Sequence, residues 1–310
     1  MPLSTVVKAG LSEAVKSPVL WDAPLSAWTT FRIGGPAAAL VTINDTTELQ
    51  AVLFLCSEHG ILWRLLGRGS NVLAADDGFP GVIIVLGEGF KSCSRRDGPH
   101  GDRVLVEAGA AVGLSRLADW SAEQGLSGLE FAAGIPGTLG GAVLMNAGAW
   151  GDAIGNLVFA LTLADKEKSI TVAGKDLRFG YRCLDDMKHS LSGFVITGAE
   201  LELVSGETLV IQETMREFRR RRREHQPVGI ANAGSFFKNP AGTSAGRLIE
   251  AAGLKGLQVG DAEVSEKHAN FFVNRGCACA RDMIELMHRV QEAVKKDSGV
   301  DLEPEVHFLK

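Results

Sequence analysis

The sequence has no run of 18 apolar residues, so no membrane-spanning helix is expected. Its start, MPLSTVVKAGLSEAVKSP, holds only a short apolar part and no signal-peptide cleavage pattern, which points to the cytoplasm. Positive charge is not in excess. The net charge of -5 argues against general affinity for nucleic acid. A metal-binding cysteine pattern is missing too. Of Cys56, Cys93, Cys183, Cys277 and Cys279, only the last two are close, and Cys277-Ala278-Cys279 lacks zinc-knuckle spacing and a second pair. Free thiols in a reducing compartment are the expectation. Tyrosine occurs once, at Tyr181, and no internal repeat is visible.

Glycine, by contrast, is abundant: 37 residues of 310, against a usual share of about 7%. Six of them, Gly134, Gly137, Gly140, Gly141, Gly148 and Gly151, fall in LEFAAGIPGTLGGAVLMNAGAWG, residues 129–151, whose only ionisable side chain is Glu130. Without a Cβ, backbone N–H groups can come within contact of a ligand. Pro136-Gly137 is a turn signal, and successive amides in such a turn form an anion-binding concavity. The stretch suits a bulky, flat, anionic cofactor, or equally a Gly-rich hairpin buried against its neighbours. A second candidate loop is Gly67-Arg68-Gly69-Ser70-Asn71, following an expected strand. It offers open backbone, two polar side chains and one positive charge, features that can hold a pyrophosphate or simply make a turn. It is neither a dinucleotide fingerprint nor a Walker loop, since the third glycine and the Gly-Lys-Ser/Thr are absent.

The patterning is that of a mixed α and β protein. Residues 1–20 read as a helix-like leader. Trp28–Ile33 reads as a strand running into a Gly-Gly-Pro turn, and Ala38–Ile43, Ile61–Leu66, Val82–Leu86 and Arg103–Glu107 as further strands. Asp45 with Glu48 forms an N-cap signature, followed by Leu49, Val52, Leu53 and Cys56 at helical spacing up to Gly60. Leu114, Leu117, Ala118 and Ser121 line another helix. Strands are expected around 157–163, 168–172 and 194–203. A charged helix over 210–225 carries six arginines, read as a mostly solvated face, and a domain boundary is placed near residue 207. Ala245, Leu248, Ile249 and Ala252 mark a short helix. Met283, Met287, Val290 and Val294 mark a last one, its methionines serving as core packing. Glu303–Phe308 reads as a closing strand.

Four stretches together resemble a known family. TTFRIGG at 29–35, GRGSNVLAADDGFPGVII at 67–84, GIPGTLGGAVLMNAGAWG at 134–151 and GSFFKNP at 234–240 are similar to the UDP-N-acetylenolpyruvoylglucosamine reductases, and KHANFFVN and LEPEV extend the match. About fifty residues separate Arg182 from Ser235, without a tyrosine, so the chain resembles the shorter, type II version. The resemblance implies an α+β fold: a vanillyl-alcohol-oxidase/PCMH-type FAD-binding part in two subdomains, 21–87 and 88–207, then a C-terminal α+β substrate domain, 208–310. It implies reduction of UDP-N-acetylglucosamine enolpyruvate to UDP-N-acetylmuramate in the cytoplasmic steps of peptidoglycan synthesis, with NADPH as donor. A monomer is expected, with neither nucleic acid nor membrane as partner.

It also implies residue roles. Non-covalent FAD would be held by Gly67, Arg68, Gly69, Ser70 and Asn71, and by Gly134, Ile135, Pro136, Gly137 and Thr138. Gly140, Gly141, Ala142, Asn146, Gly148 and Tyr181 complete that set. Ser235 matches the proton donor, Arg182 the arginine at the enolpyruvyl carboxylate, and Glu305 a glutamate beside the intermediate. Lys238 and Asn239 are expected substrate contacts. His225 stands where the family tends to show a lysine near the diphosphate, with Arg222 or Arg223 as the alternative source of charge. Leu184 replaces a frequent serine. No His or Cys in 129–151 offers a covalent tether, which sets the chain apart from oxidases of the same fold. Joint retention of Arg182, Ser235 and Glu305 argues against a non-catalytic nucleotide-sugar or flavin-binding protein.

Overall fold

A computed structural model describes residues 3–98 and 101–310. Its helices are α1 (Thr5–Ala14), α2 (Thr46–Glu58), α3 (Leu114–Glu123), α4 (Leu139–Leu144), α5 (Thr208–His225), α6 (Ala245–Ala251) and α7 (Ala280–Ser298). The described residues form two compact units. One comprises residues up to Trp21 with 39–67 and 81–220; the other comprises 22–38, 68–80 and 221–310. The boundary read near residue 207 precedes α5, whereas the compact division falls inside that helix.

The first unit is built on a six-stranded antiparallel sheet. Its order is Ser169–Ala173, Val158–Ala164, Val195–Ser205, Arg103–Gly109 and Cys93–Asp97, with Leu126–Ser127 pairing on the long central strand. Alternate residues of that strand, Val195, Thr197, Ala199, Leu201 and Leu203, are buried, as a half-covered sheet requires. Leu114, Leu117, Ala118 and Ser121 are the buried face of α3, in the expected periodicity. Asp45 caps α2 by accepting from the Glu48 amide at 2.9 Å. Within the expected leader, of which residues 1–2 lie outside the described residues, Thr5–Ala14 forms α1: Ser4 caps it, Val7 and Leu11 are buried, and Gly10 faces Leu55 of α2 so closely that a Cβ would lie 2.9 Å from it. Glycine at that position lets the two helices approach.

In the second unit the sheet order is Ala231–Ser235, Phe271–Asn274, Ala262–Val264 and Gln258–Val259, all antiparallel. Met283, Met287, Val290 and Val294 of α7 are buried in the same core as Phe31, Phe236, Phe237 and Phe272. Two expected strands are corrected. Trp28–Ile33 is a turn: the Thr29 hydroxyl donates to the Ile33 carbonyl at 2.8 Å and accepts from its amide, and Arg32 takes φ +57°. The side chain of Thr29 satisfies backbone groups that a ladder would otherwise claim. At the C-terminus only His307–Leu309 is strand, paired parallel to Val72–Ala74. Pro304, which has no N–H to give a ladder, makes a single bridge to Phe237.

Glu263 is 2% exposed and paired with the half-exposed Arg275 and with Gln258. The Arg275 hydrogen bond, with help from Gln258, holds its carboxyl below the ordinary value of 4.5. The folded state therefore binds fewer protons than the unfolded one. The stabilisation is fully present above the ordinary value and is lost as pH falls through the depressed one. Glu263→Gln should cost about 1 kcal/mol near neutral pH, discounted for the exposure of Arg275. The deficit relative to wild type should shrink in acid. Thermal unfolding of both proteins from neutral to acid pH checks this; a deficit that does not change with pH contradicts it.

Candidate active site

In the first unit the Gly-rich stretch is not one continuous hairpin or helix. It runs as a 3₁₀ turn at Glu130–Ala132, a loop, the short helix α4, and a small hairpin of Gly148–Ala149 with Asp152–Ala153. Gly134 and Gly137 lie at φ +79° and +130°, conformations that need glycine. Thr138 caps α4, accepting from the Gly141 amide at 3.3 Å. Thr138 also bridges Gly113 in a register where Leu114 N–H bonds Gly137 O and Leu139 N–H bonds Val112 O. The Thr138 amide therefore points away from that ladder. Gly67 comes against this same threonine: a Cβ on Gly67 would sit 2.7 Å from its Oγ1. Gly67, the first residue of the second candidate loop, thus lies against Thr138 of the Gly-rich stretch. Glycines in left-handed turns, an outward amide and a hydroxyl are a donor set suited to a diphosphate. The stretch fits FAD on these grounds.

Asn146, Trp150 and Arg182 have positive φ, at +40°, +58° and +58°. Non-glycine residues in this region carry strain, and such residues concentrate at functional sites. The Asn146 carboxamide accepts from Gly155 N–H at 3.0 Å and donates to Gly180 O at 2.9 Å. Arg182 donates from Nη1 to Gly148 O at 3.2 Å, and its guanidinium lies 5.2 Å from the Tyr181 ring centre. The Arg182 loop is thereby tied to the Gly-rich stretch at two points. On its other side, Asp186 accepts from the Arg178 amide at 2.6 Å and from the Arg178 guanidinium. These bonds, the amide first, hold the Asp186 carboxyl below its ordinary value. Leu184 is buried.

In the second unit Gly234, at φ +78°, precedes Ser235 where the register of Ala231–Ser235 on Phe271–Asn274 shifts. Ser235 is half-buried, and its neighbours Phe236 and Phe237 are fully buried. Glu305 N–H bonds Phe236 O at 2.8 Å, so Ser235 and Glu305 lie on adjoining segments. Asn71 bridges them to its own loop. Its carboxamide donates to Glu305 O at 3.1 Å, and its carbonyl accepts from His307 N–H. Gly69 approaches Trp28 so closely that a Cβ would lie 2.1 Å from the Trp28 carbonyl oxygen. Arg68 is exposed and Ser70 half-buried. Lys238 pairs with Glu303, while the Asn239 carboxamide oxygen accepts from Ala245 N–H at 3.1 Å. His225, the last residue of α5, is exposed. The sequence reading passed over Asn270. This buried residue accepts from Phe237 N–H at 3.0 Å and donates to Phe237 O at 2.8 Å, fixing the segment that carries Ser235. Its position inside KHANFFVN, one of the matching stretches, was the available signal.

Residues 37–173 match an FAD binding domain, and residues 226–309 match the C-terminal domain of UDP-N-acetylenolpyruvoylglucosamine reductase. Curated reductases of that name are 42% identical in Moorella thermoacetica and 44% identical in Geobacter sulfurreducens, each over 97% of both chains. The solved structure of UDP-N-acetylenolpyruvylglucosamine reductase from Thermus caldophilus is 36% identical. It superposes with a TM-score of 0.79, over 94% of this chain and 98% of that one. The α+β architecture, with an FAD-binding part followed by a distinct C-terminal domain, is that of these enzymes, and the chain belongs to the UDP-N-acetylenolpyruvoylglucosamine reductase family.

Proposed function

We propose that this chain reduces UDP-N-acetylglucosamine enolpyruvate to UDP-N-acetylmuramate, a step of peptidoglycan precursor synthesis, with NADPH as donor, as a cytoplasmic monomer. Among the described residues no helix is long and apolar enough to cross a membrane. The observation that carries the reading is the 2.8 Å backbone bond from Glu305 to Phe236, which holds Ser235 and Glu305 on adjoining segments in a chain of this family. FAD, when bound, supplies the hydride taken from NADPH.

Hydride addition at one alkene carbon pushes an electron pair onto the substrate carboxylate, giving an enolate. Arg182 meets that carboxylate. Its guanidinium offers a fixed fork of donors that suits a carboxylate. One of those donors is held by Gly148 O, so the fork is oriented before substrate arrives. Ser235 donates the proton to the adjacent carbon. A hydroxyl is a weak acid in water, yet it serves beside a strongly basic carbanion when held within hydrogen-bond reach. Glu305, as the carboxylic acid, donates a hydrogen bond to the developing enolate and, with Arg182, stabilises its charge. Lys238, Asn239 and His225 are proposed as contacts to the rest of the nucleotide sugar. The subdomains 21–87 and 88–207 would hold the flavin and 208–310 the substrate.

Ser235→Ala should leave reduction of the flavin by NADPH near normal and slow its reoxidation by the enolpyruvyl substrate by roughly 10²–10⁴-fold, the usual contribution of a general acid. Stopped-flow absorbance resolves the two half-reactions, and equal slowing of both would remove Ser235 from the proton-donor role. Acid precipitation should release all flavin colour into the supernatant, because 129–151 contains no His or Cys to tether it. Colour retained in the pellet contradicts non-covalent binding.

A further inference from the structure

We infer that Phe218 and Trp150 are positioning residues for Arg182, an inference that rests on the proposed role of Arg182 at the substrate carboxylate. Trp150 and Gly151 form the tip of the small hairpin in which Gly148 pairs with Ala153 and Ala149 with Asp152. Both tip residues have positive φ, +58° and +95°. That is the primed two-residue turn, in which Asn-Gly is the preferred pair. A bulky aromatic at its first position is out of place on backbone grounds.

The indole has an evident compensation. It stacks on Phe218 of α5, with ring centres 5.1 Å apart and planes 8° from parallel. Offset stacking of this kind is favourable beyond simple burial. The residue after Phe218, Arg219, is ion-paired with Asp119 of α3, which ties this turn of α5 to the body of the unit. The other end of the hairpin matters to the site. Gly148 is packed so closely that a Cβ would lie 2.4 Å from Asp152 O, and its carbonyl accepts the Arg182 Nη1 bond. Movement of the tip is therefore movement of the acceptor that orients the guanidinium. Asn146, bonded to Gly155 and Gly180, holds the base of the same segment. The base is held by a carboxamide and the tip by the aromatic stack.

The test uses flavin-loaded Trp150→Asn, Phe218→Ala, Phe218→Tyr and Arg182→Ala, with stopped-flow half-reactions and thermal melting. Trp150→Asn installs the preferred Asn-Gly turn, so the melting temperature should hold or rise while reoxidation by the enolpyruvyl substrate slows. The slowing should be on the order of 10-fold, as misplacement of a binding group implies. Phe218→Ala should slow reoxidation alike, and Phe218→Tyr should restore it. Reduction by NADPH should stay near wild type in all three. Phe218→Ala added to Arg182→Ala should slow reoxidation no further, because both act through one group. The inference is overturned if Arg182→Ala slows reoxidation and Phe218→Ala does not. It is also overturned if Phe218→Ala slows both half-reactions in step with a lower melting temperature. If Arg182→Ala leaves reoxidation unchanged, it is the proposed role of Arg182 that fails, and the positioning inference falls with it.

Discussion

Burial of Phe236 and Phe237, consecutive and both fully enclosed, is the constraint on which the second unit depends. Their rings pack on Phe272, at 4.1 Å and 5.7 Å between centres, and Phe236 also packs on Phe31. A regular strand sends neighbouring side chains to opposite faces, so setting both rings against the one Phe272 ring takes a departure from regular ladder geometry. The register shift after Asn232, the left-handed Gly234 and the Asn270 clamp on Phe237 accomplish that departure. The aromatic pair is flanked by Ser235 on one side and Lys238 on the other, both only half-buried. The segment is fixed by its core rather than by its polar ends. A loop on the surface would fix the Ser235 hydroxyl less well, because no packed core would lock its backbone.

The fold was legible where periodicity is strong. The buried faces of α2, α3 and α7 lie on the residues named from spacing, and the Asp45 cap is where the Asp-x-x-Glu pattern put it. It was not legible at Trp28–Ile33. Threonine, phenylalanine and isoleucine have strand propensity, but the Thr29 side chain closes a local turn with Ile33 that propensity does not encode. The candidate site was legible as motifs and not as a network. Glycine density pointed to 129–151, yet nothing in composition says that Gly67 meets Thr138, or that Asn71 reaches Glu305 across 234 positions. Such pairings are set by tertiary packing. Asn270 went unnoticed because a lone asparagine among apolar residues carries no periodic signal; its importance comes from two hydrogen bonds to one residue.

The positive-φ residues of the first unit divide according to what offsets their strain. Asn146 is short and polar, a residue type that tolerates the left-handed region. Its side chain makes two hydrogen bonds that a glycine could not make. Arg182 has its guanidinium held by Gly148 O and set beside the Tyr181 ring. Trp150 relies on an aromatic neighbour supplied by another element. In each case the side chain that strains the backbone also makes the contact that keeps it there. Replacement by glycine would relax the turn and lose the tie, so local stability and site geometry pull against each other at these positions.

Leu184 shows the same separation of roles from the opposite side. Here the side chain is apolar and buried, on a short strand where Leu184 pairs with Phe179 and Gly180 with Cys183. A hydroxyl at this buried position would need a partner to repay its desolvation, and leucine removes that demand. The polar duty on this loop falls instead to Asp186, which binds the Arg178 amide, the Arg178 guanidinium and the Ser190 hydroxyl. Cys183 adds a thiol bond to Asp185 at 3.0 Å. The loop that carries Arg182 is therefore ordered by a carboxylate four residues beyond it. The loop is held on both sides of Arg182, by Asn146 at Gly180 and through Asp186.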